Sequence, residues 1–184
     1  VGWEMCIRDR FKTTGNDNIF LATRNGMAIC FNENDARAVG RTASGVKAID
    51  LADGDYVVGA EPVREDSKVL LVTDGGYGKC TDLTSFRIQH RGGKGLKAYK
   101  ITEKTGNIIG ISMVNDSEEL IMVTSEGVVI RIRIKDIATT TGRITQGVRL
   151  INLNDGVIVV SMDKISAEDT VEEESEENLS LIHI

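Results

Sequence analysis

Gln89 to Gly95 reads Gln-His-Arg-Gly-Gly-Lys-Gly and condenses glycine and positive charge into seven residues. Glycine lets a backbone approach another chain closely, while Arg and Lys neutralise phosphate, so the chemistry on offer is polyanion binding. Gly40-Arg41-Thr42-Ala43-Ser44-Gly45 and Gly142-Arg143-Ile144-Thr145-Gln146-Gly147 are variants of the same stretch. Arg91 and Lys94 are the first candidates for phosphate contact, with Gly92, Gly93 and Gly95 permitting the approach and Gln89 and His90 in the same loop. Arg41, Lys47, Lys97, Arg143 and Arg149 extend a path on neighbouring loops.

Other chemistries find little support. His90 is the only histidine within the repeats, and its counterparts are Gly40 and Gly142, which argues against a shared general base. Gly95 follows Lys94 where a phosphate-binding loop needs Ser or Thr to meet magnesium. Asn152 to Gly156 lacks the ligands of a calcium loop, and the three cysteines have no metal or redox spacing. Cys30 and Cys80 occupy equivalent positions, with Arg131 in the third unit, and read as ordinary strand residues. No catalytic residue, metal ligand or cofactor is therefore assigned to this chain.

The net charge of −6 conceals two regions. Met162 to Ile184 carry eight acidic residues against Lys164, leaving 21 bases and 20 acids over residues 1–161. Within that body Lys79, Arg87, Arg91, Lys94, Lys97, Lys100 and Lys104 face only Asp82 and Glu103, a basic stripe suited to a polyanion. An aromatic content of 4% argues against single-strand stacking platforms.

The elements that must position these residues repeat with them. IFLATRNG, VLLVTDGG and LIMVTSEG align Thr23, Thr73 and Thr124, and Gly26, Gly76 and Gly127, a period of about 50 residues. Short Val- and Ile-rich runs bounded by Gly, Asn and Asp predict strands at Val69–Thr73, Leu96–Ile101, Asn107–Val114, Val128–Lys135 and Val157–Met162. In Val128–Lys135, Val128, Ile130, Ile132 and Ile134 point one way and Val129, Arg131, Arg133 and Lys135 the other. Asp53-Gly54 and Asp155-Gly156 read as turns. Such a unit cannot bury its apolar face alone and must stack on neighbours, the logic of a propeller blade.

The expected fold is all-β: about three four-stranded blades, near 11–60, 61–111 and 112–161, as part of a longer ring. Residues 162–184 are expected to form a disordered acidic tail, one that could compete with nucleic acid for the basic stripe. Residues 1–10 and the closing LSLIHI read as foreign to the repeat. No run approaches a membrane span and no secretory signal is visible, so a cytoplasmic location is expected.

QHRGGKG resembles the Q-R-R-G-G-K-G box of the A subunits of bacterial DNA gyrase, and VGRTASGVKAIDL, GYGKCTDLTSFRIQHRGGKGLKAYKITEKTG and GRITQGVRLINL resemble late blades of their C-terminal domain. The resemblance covers about Phe11 to Ser161. Two departures stand out: His90 replaces an Arg, and the box lies in the middle unit, whereas the family's defining box belongs to the first blade. The resemblance implies a six-bladed β-pinwheel that binds and wraps double-stranded DNA, supporting ATP-dependent negative supercoiling. It implies an A2B2 holoenzyme in which the gyrase B subunit holds ATP and Mg2+, with a second copy of the A chain engaged through an N-terminal part. Tyr56, Tyr77 and Tyr99 lack the family's A-A-M-R-Y-T context for the cleaving tyrosine. The alternatives are the equivalent domain of topoisomerase IV and a protein-interaction propeller.

Overall fold

A computed structural model describes residues 11–40 and 42–166. The expected leader and residues 167–184 of the expected tail lie outside these described residues. Each unit opens with a hairpin. In the first, β1 (Asn18–Thr23) pairs with β2 (Met27–Asn32), and β3 (Val57–Pro62) returns to the other side of β1. The second unit contains β4 (Lys68–Thr73), β5 (Tyr77–Asp82), β6 (Leu96–Lys97) and β7 (Ile108–Val114). The third contains β8 (Glu119–Thr124), β9 (Val129–Arg133), β10 (Thr139–Thr140), β11 (Val148–Arg149) and β12 (Val159–Ile165).

The repeated Thr and Gly close these hairpins. Thr23, Thr73 and Thr124 accept through Oγ1 from the amides of Met27, Tyr77 and Val128 at 3.3, 3.2 and 3.1 Å. Their carbonyls accept from Gly26, Gly76 and Gly127, whose φ angles of +85°, +76° and +80° suit glycine.

The sheets cross unit boundaries. The first runs β3-β1-β2-β6, so β6 of the second unit pairs with β2 of the first. The second runs β7-β4-β5-β10, and β11 also pairs with β5. The third runs β12-β8-β9, three strands among the described residues rather than the expected four.

The strand expected over Leu96–Ile101 is two residues long. Its chain turns inward because the amides of Ala98 and Tyr99 both donate to the Gly26 carbonyl, at 2.8 and 3.2 Å. Leu150 and Ile151 repeat this on Gly76, at 2.9 and 3.3 Å. At the other boundary β12 stays paired with β8 through Ile165, so Met162–Ile165 are strand rather than tail.

Side chains of β4 alternate between two cores. Val69 and Leu71 join Phe20, Phe86, Tyr99 and Met113 between the first and second sheets, where the Phe20 and Phe86 rings meet edge to face at 4.8 Å. Leu70 and Val72 join Leu120, Met122 and Ile134 between the second and third. Burial on both faces explains why this strand reads as an unbroken apolar run.

Gly95 and Gly147, at φ +73° and +69°, lead the arms onto the preceding sheet. A Cβ on Gly95 would lie 2.5 Å from the Ala28 carbonyl oxygen, and one on Gly147 would press on the Gly78 carbonyl. Gly45 has φ +81° with open space around it. Gly45→Ala should therefore cost only backbone strain, about 1–2 kcal/mol, whereas Gly95→Ala and Gly147→Ala add a steric conflict of about 1–3 kcal/mol more. Urea denaturation measures the difference, and equal losses at all three positions would mean that close approach contributes nothing.

Candidate nucleic-acid interface

The second and third variants of the glycine-rich stretch sit at the start of arms that cross to the unit before, and backbone bonds link the second variant to the chain after the first, and the third to the chain after the second. The Gln89 amide donates to Cys30 O at 2.8 Å, Gly92 to Ala48 O at 2.6 Å, and Asp50 to Gly93 O at 2.8 Å. Between the second and third arms, the Lys100 amide donates to Thr145 O at 3.0 Å. Residues about 50 positions apart in sequence therefore form consecutive loops.

Lys94, Lys97, Lys100 and Arg87 are exposed on and beside the middle loop, and among the described residues no hydrogen bond or salt bridge occupies their charged groups. His90 is also exposed, with Nδ1 at 3.3 Å from Asp35 Oδ2. Lys47 pairs with Asp50 on the surface. Gly92 has φ +80°, and a Cβ there or at Gly93 would meet only ordinary contact, with Lys47 O at 3.6 Å and His90 O at 3.7 Å, in contrast to Gly95 beside Ala28. Arg41 lies outside the described residues.

The remaining candidates have protein partners that spacing did not reveal. Arg91 donates from Nε to Asp35 O at 2.7 Å and from Nη1 to Lys47 O at 3.0 Å. Arg143 donates from Nε to Lys97 O at 2.9 Å and from Nη1 to Ser85 O at 3.3 Å. Arg149 reaches the Tyr77 hydroxyl from Nε and Nη2, at 3.2 and 3.0 Å, and donates to Asn152 Oδ1. That guanidinium lowers the Tyr77 pKa by favouring the phenolate. Gln89 is the exception: it is part-buried, and among the described residues its Nε2 has no hydrogen-bond partner.

Lys79, grouped by sequence with the basic stripe, is not on the surface. It is 0% exposed beneath the third unit's arm, where Nζ donates to Arg143 O at 2.5 Å and sits 5.3 Å from the Tyr99 ring centroid. Tyr99 in turn donates its hydroxyl to Gln146 O. Desolvation, reinforced by the Arg143 charge, lowers the Lys79 pKa to about 8. The only sequence signal was a register one: Lys79 falls where the other units carry Ile29 and Ile130.

Burial also raises both strand thiols, Cys80 to about 11. They are buried and unreactive in character. Among the described residues no group of His, Cys, Asp and Glu could hold a metal ion, and no helix is long and apolar enough to cross a membrane.

Antiparallel sheets repeated in sequence, stacked through shared cores and joined by exchanged arms, define a propeller-like β-pinwheel with basic loops. A family model described as the DNA gyrase C-terminal domain, beta-propeller, matches residues 17–64, 67–115 and 118–166, one match per unit. The chain belongs to this family. The DNA gyrase A subunit of Staphylococcus epidermidis (strain ATCC 12228 / FDA PCI 1200) is 46% identical over 159 residues, covering 85% of this chain and 18% of that protein. Its counterpart in Ureaplasma parvum serovar 3 is 47% identical over 142 residues, 77% of this chain and 17% of that one. The chain thus spans less than a fifth of the length of these relatives. Among solved structures, the C-terminal domain of DNA topoisomerase IV aligns with a TM-score of 0.83 at 28% identity, over 95% of this chain and 55% of that one. The DNA gyrase A C-terminal domain aligns with a TM-score of 0.75 at 25% identity, over 82% of this chain and 51% of that one.

The depressed pKa of Lys79 has a definite sign. The folded state releases this proton near pH 8, the unfolded chain near the ordinary 10.5, so between these values the unfolded state binds more protons and stability rises with pH. Lys79→Met should flatten that rise between pH 8 and 10.5, measured by denaturant midpoints across the window. A variant with the wild-type pH profile would place the titration elsewhere.

Proposed function

We propose that this chain binds duplex DNA along its box loops and helps to wrap it, as a non-catalytic part of a DNA gyrase A subunit. One observation carries the reading: the three box variants stand as consecutive loops, with Lys94, Lys97 and Lys100 presented to solvent. Unpaired ammonium groups along the middle loop and its arm suit phosphate contact, which tolerates any base sequence. The family match and the gyrase relatives support this assignment. In that setting ATP and Mg2+ act on a B subunit, DNA cleavage belongs to a tyrosine elsewhere in the full-length A chain, and the assembly is an A2B2 complex in the cytoplasm. Wrapping supplies the handedness that turns strand passage into negative supercoiling. The likeness to the topoisomerase IV domain supports a second reading, in which the chain is the equivalent part of a topoisomerase IV A subunit.

Binding of the 184-residue chain to short duplexes should show little sequence preference and fall linearly on a log–log plot against salt, by about 0.9 per phosphate neutralised. Replacing Lys94, Lys97 and Lys100 together by Gln should reduce that slope by about 2 to 3. A triple variant with the wild-type slope would move the DNA path away from this loop, and salt-insensitive binding would overturn the reading.

A further inference from the structure

We propose that the box arginine is a clamp between units, which sets the phase of successive loops along the DNA path, rather than a phosphate ligand. Arg91 spans the carbonyls of Asp35 and Lys47 in the first unit. Arg143 spans those of Ser85 and Lys97 in the second. Asp35 and Ser85 are equivalent in the repeat, each the last residue of a short 3-10 turn after the outer strand. Lys47 and Lys97 are equivalent as well, each two residues beyond Gly45 or Gly95.

The two arginines therefore meet the same pair of acceptor positions but exchange the nitrogens that serve them. Nε takes Asp35 O in one joint and Lys97 O in the other. What recurs is the span of a planar fork across two carbonyls, a geometry that a lysine ammonium on a flexible stem does not reproduce. Two of the three guanidinium nitrogens are committed to protein at both joints. One acceptor in each joint is the backbone of a lysine that presents its own ammonium outward, so the clamp fixes the root of a basic side chain in the preceding unit. A duplex curving over several loops meets phosphates at fixed intervals, and loops that slide relative to one another would lose that match.

The clamp stands on the hydrogen bonds alone, while its effect on the DNA path rests on the reading of duplex binding. Amide hydrogen exchange on the full chain tests the first part without DNA. Arg91→Lys keeps the charge and should speed exchange of Gly92 and Asp50 roughly tenfold, as for one lost hydrogen bond, while leaving Lys100 unchanged. Arg143→Lys should do the reverse. Wild-type exchange in both variants, or a uniform rise through β1, β4 and β8, would overturn a local clamp. With DNA, the double variant should keep its salt slope to within about 0.5 but bend an end-labelled duplex less by energy transfer. An undiminished bend would overturn the positioning role, and a slope lower by about one for each of the charge-removing variants Arg91→Gln and Arg143→Gln would make the arginines phosphate ligands instead. Failure of the wild-type chain to bind duplex DNA would remove the proposed function and leave the clamp to be judged on exchange.

Discussion

Hydrogen bonding of an arm from one unit to the outer strand of the unit before it is the constraint on which this structure depends. β6 covers β2, and β10 and β11 cover β5. An outer strand without such cover would present a row of unpaired backbone groups. Residue choice follows the cover. Where an arm passes, Ala28 and Gly78 are small and Cys30 and Cys80 are buried. On β9, with no arm across it among the described residues, the same positions hold Val129, 60% exposed, and Arg131, paired with Glu119. One repeat position thus admits cysteine or arginine, according to whether backbone from another unit lies over it.

The same crossing divides the basic residues into two groups with different work. Arg91 and Arg143 are turned to the carbonyls of the unit before, and Lys79 is sealed beneath an arm, where desolvation lowers its pKa to about 8. Lys94, Lys97 and Lys100 remain in water. A charge left in water avoids the desolvation penalty of burial and stays available to neutralise phosphates, releasing the counterions condensed on DNA. Attraction for a polyanion and the spacing of the loops that exert it are therefore assigned to different side chains within the same short stretch. The second joint carries more of this internal wiring than the first: Lys79 and Tyr99 both bind the third arm, where the first joint has Ile29 and Ile49.

Much of the local structure was legible in the residues. Thr and Gly recurring together marked hairpins whose geometry needs both a side-chain acceptor and a positive φ. The alternation expected over Val128 to Lys135 marks two faces only within Val129–Arg133, because Val128 is exposed and Ile134 and Lys135 enter a 3-10 turn, whereas the unbroken VLLV run fits a strand buried on both sides. Other positions misled for a shared reason. Leu96 to Ile101 has the composition of a strand, yet two successive amides compete for one carbonyl, that of Gly26, and turn the chain inward. Lys79 belongs to a basic run by proximity in sequence, and only the third arm removes it from solvent.

Period, turn chemistry and the alternation of apolar side chains act between neighbours in the chain, so the residues by themselves determined three all-β units and a glycine-rich basic loop in the middle one. The tertiary structure decided which sheet each arm joins, and with it which cations are clamps, which are buried and which are free. The physical reason is distance along the chain: Arg149 finds the Tyr77 hydroxyl across 72 positions, and the carbonyls that receive Arg91 and Arg143 are backbone atoms, identical at every residue and invisible to side-chain pattern until the fold brings them together.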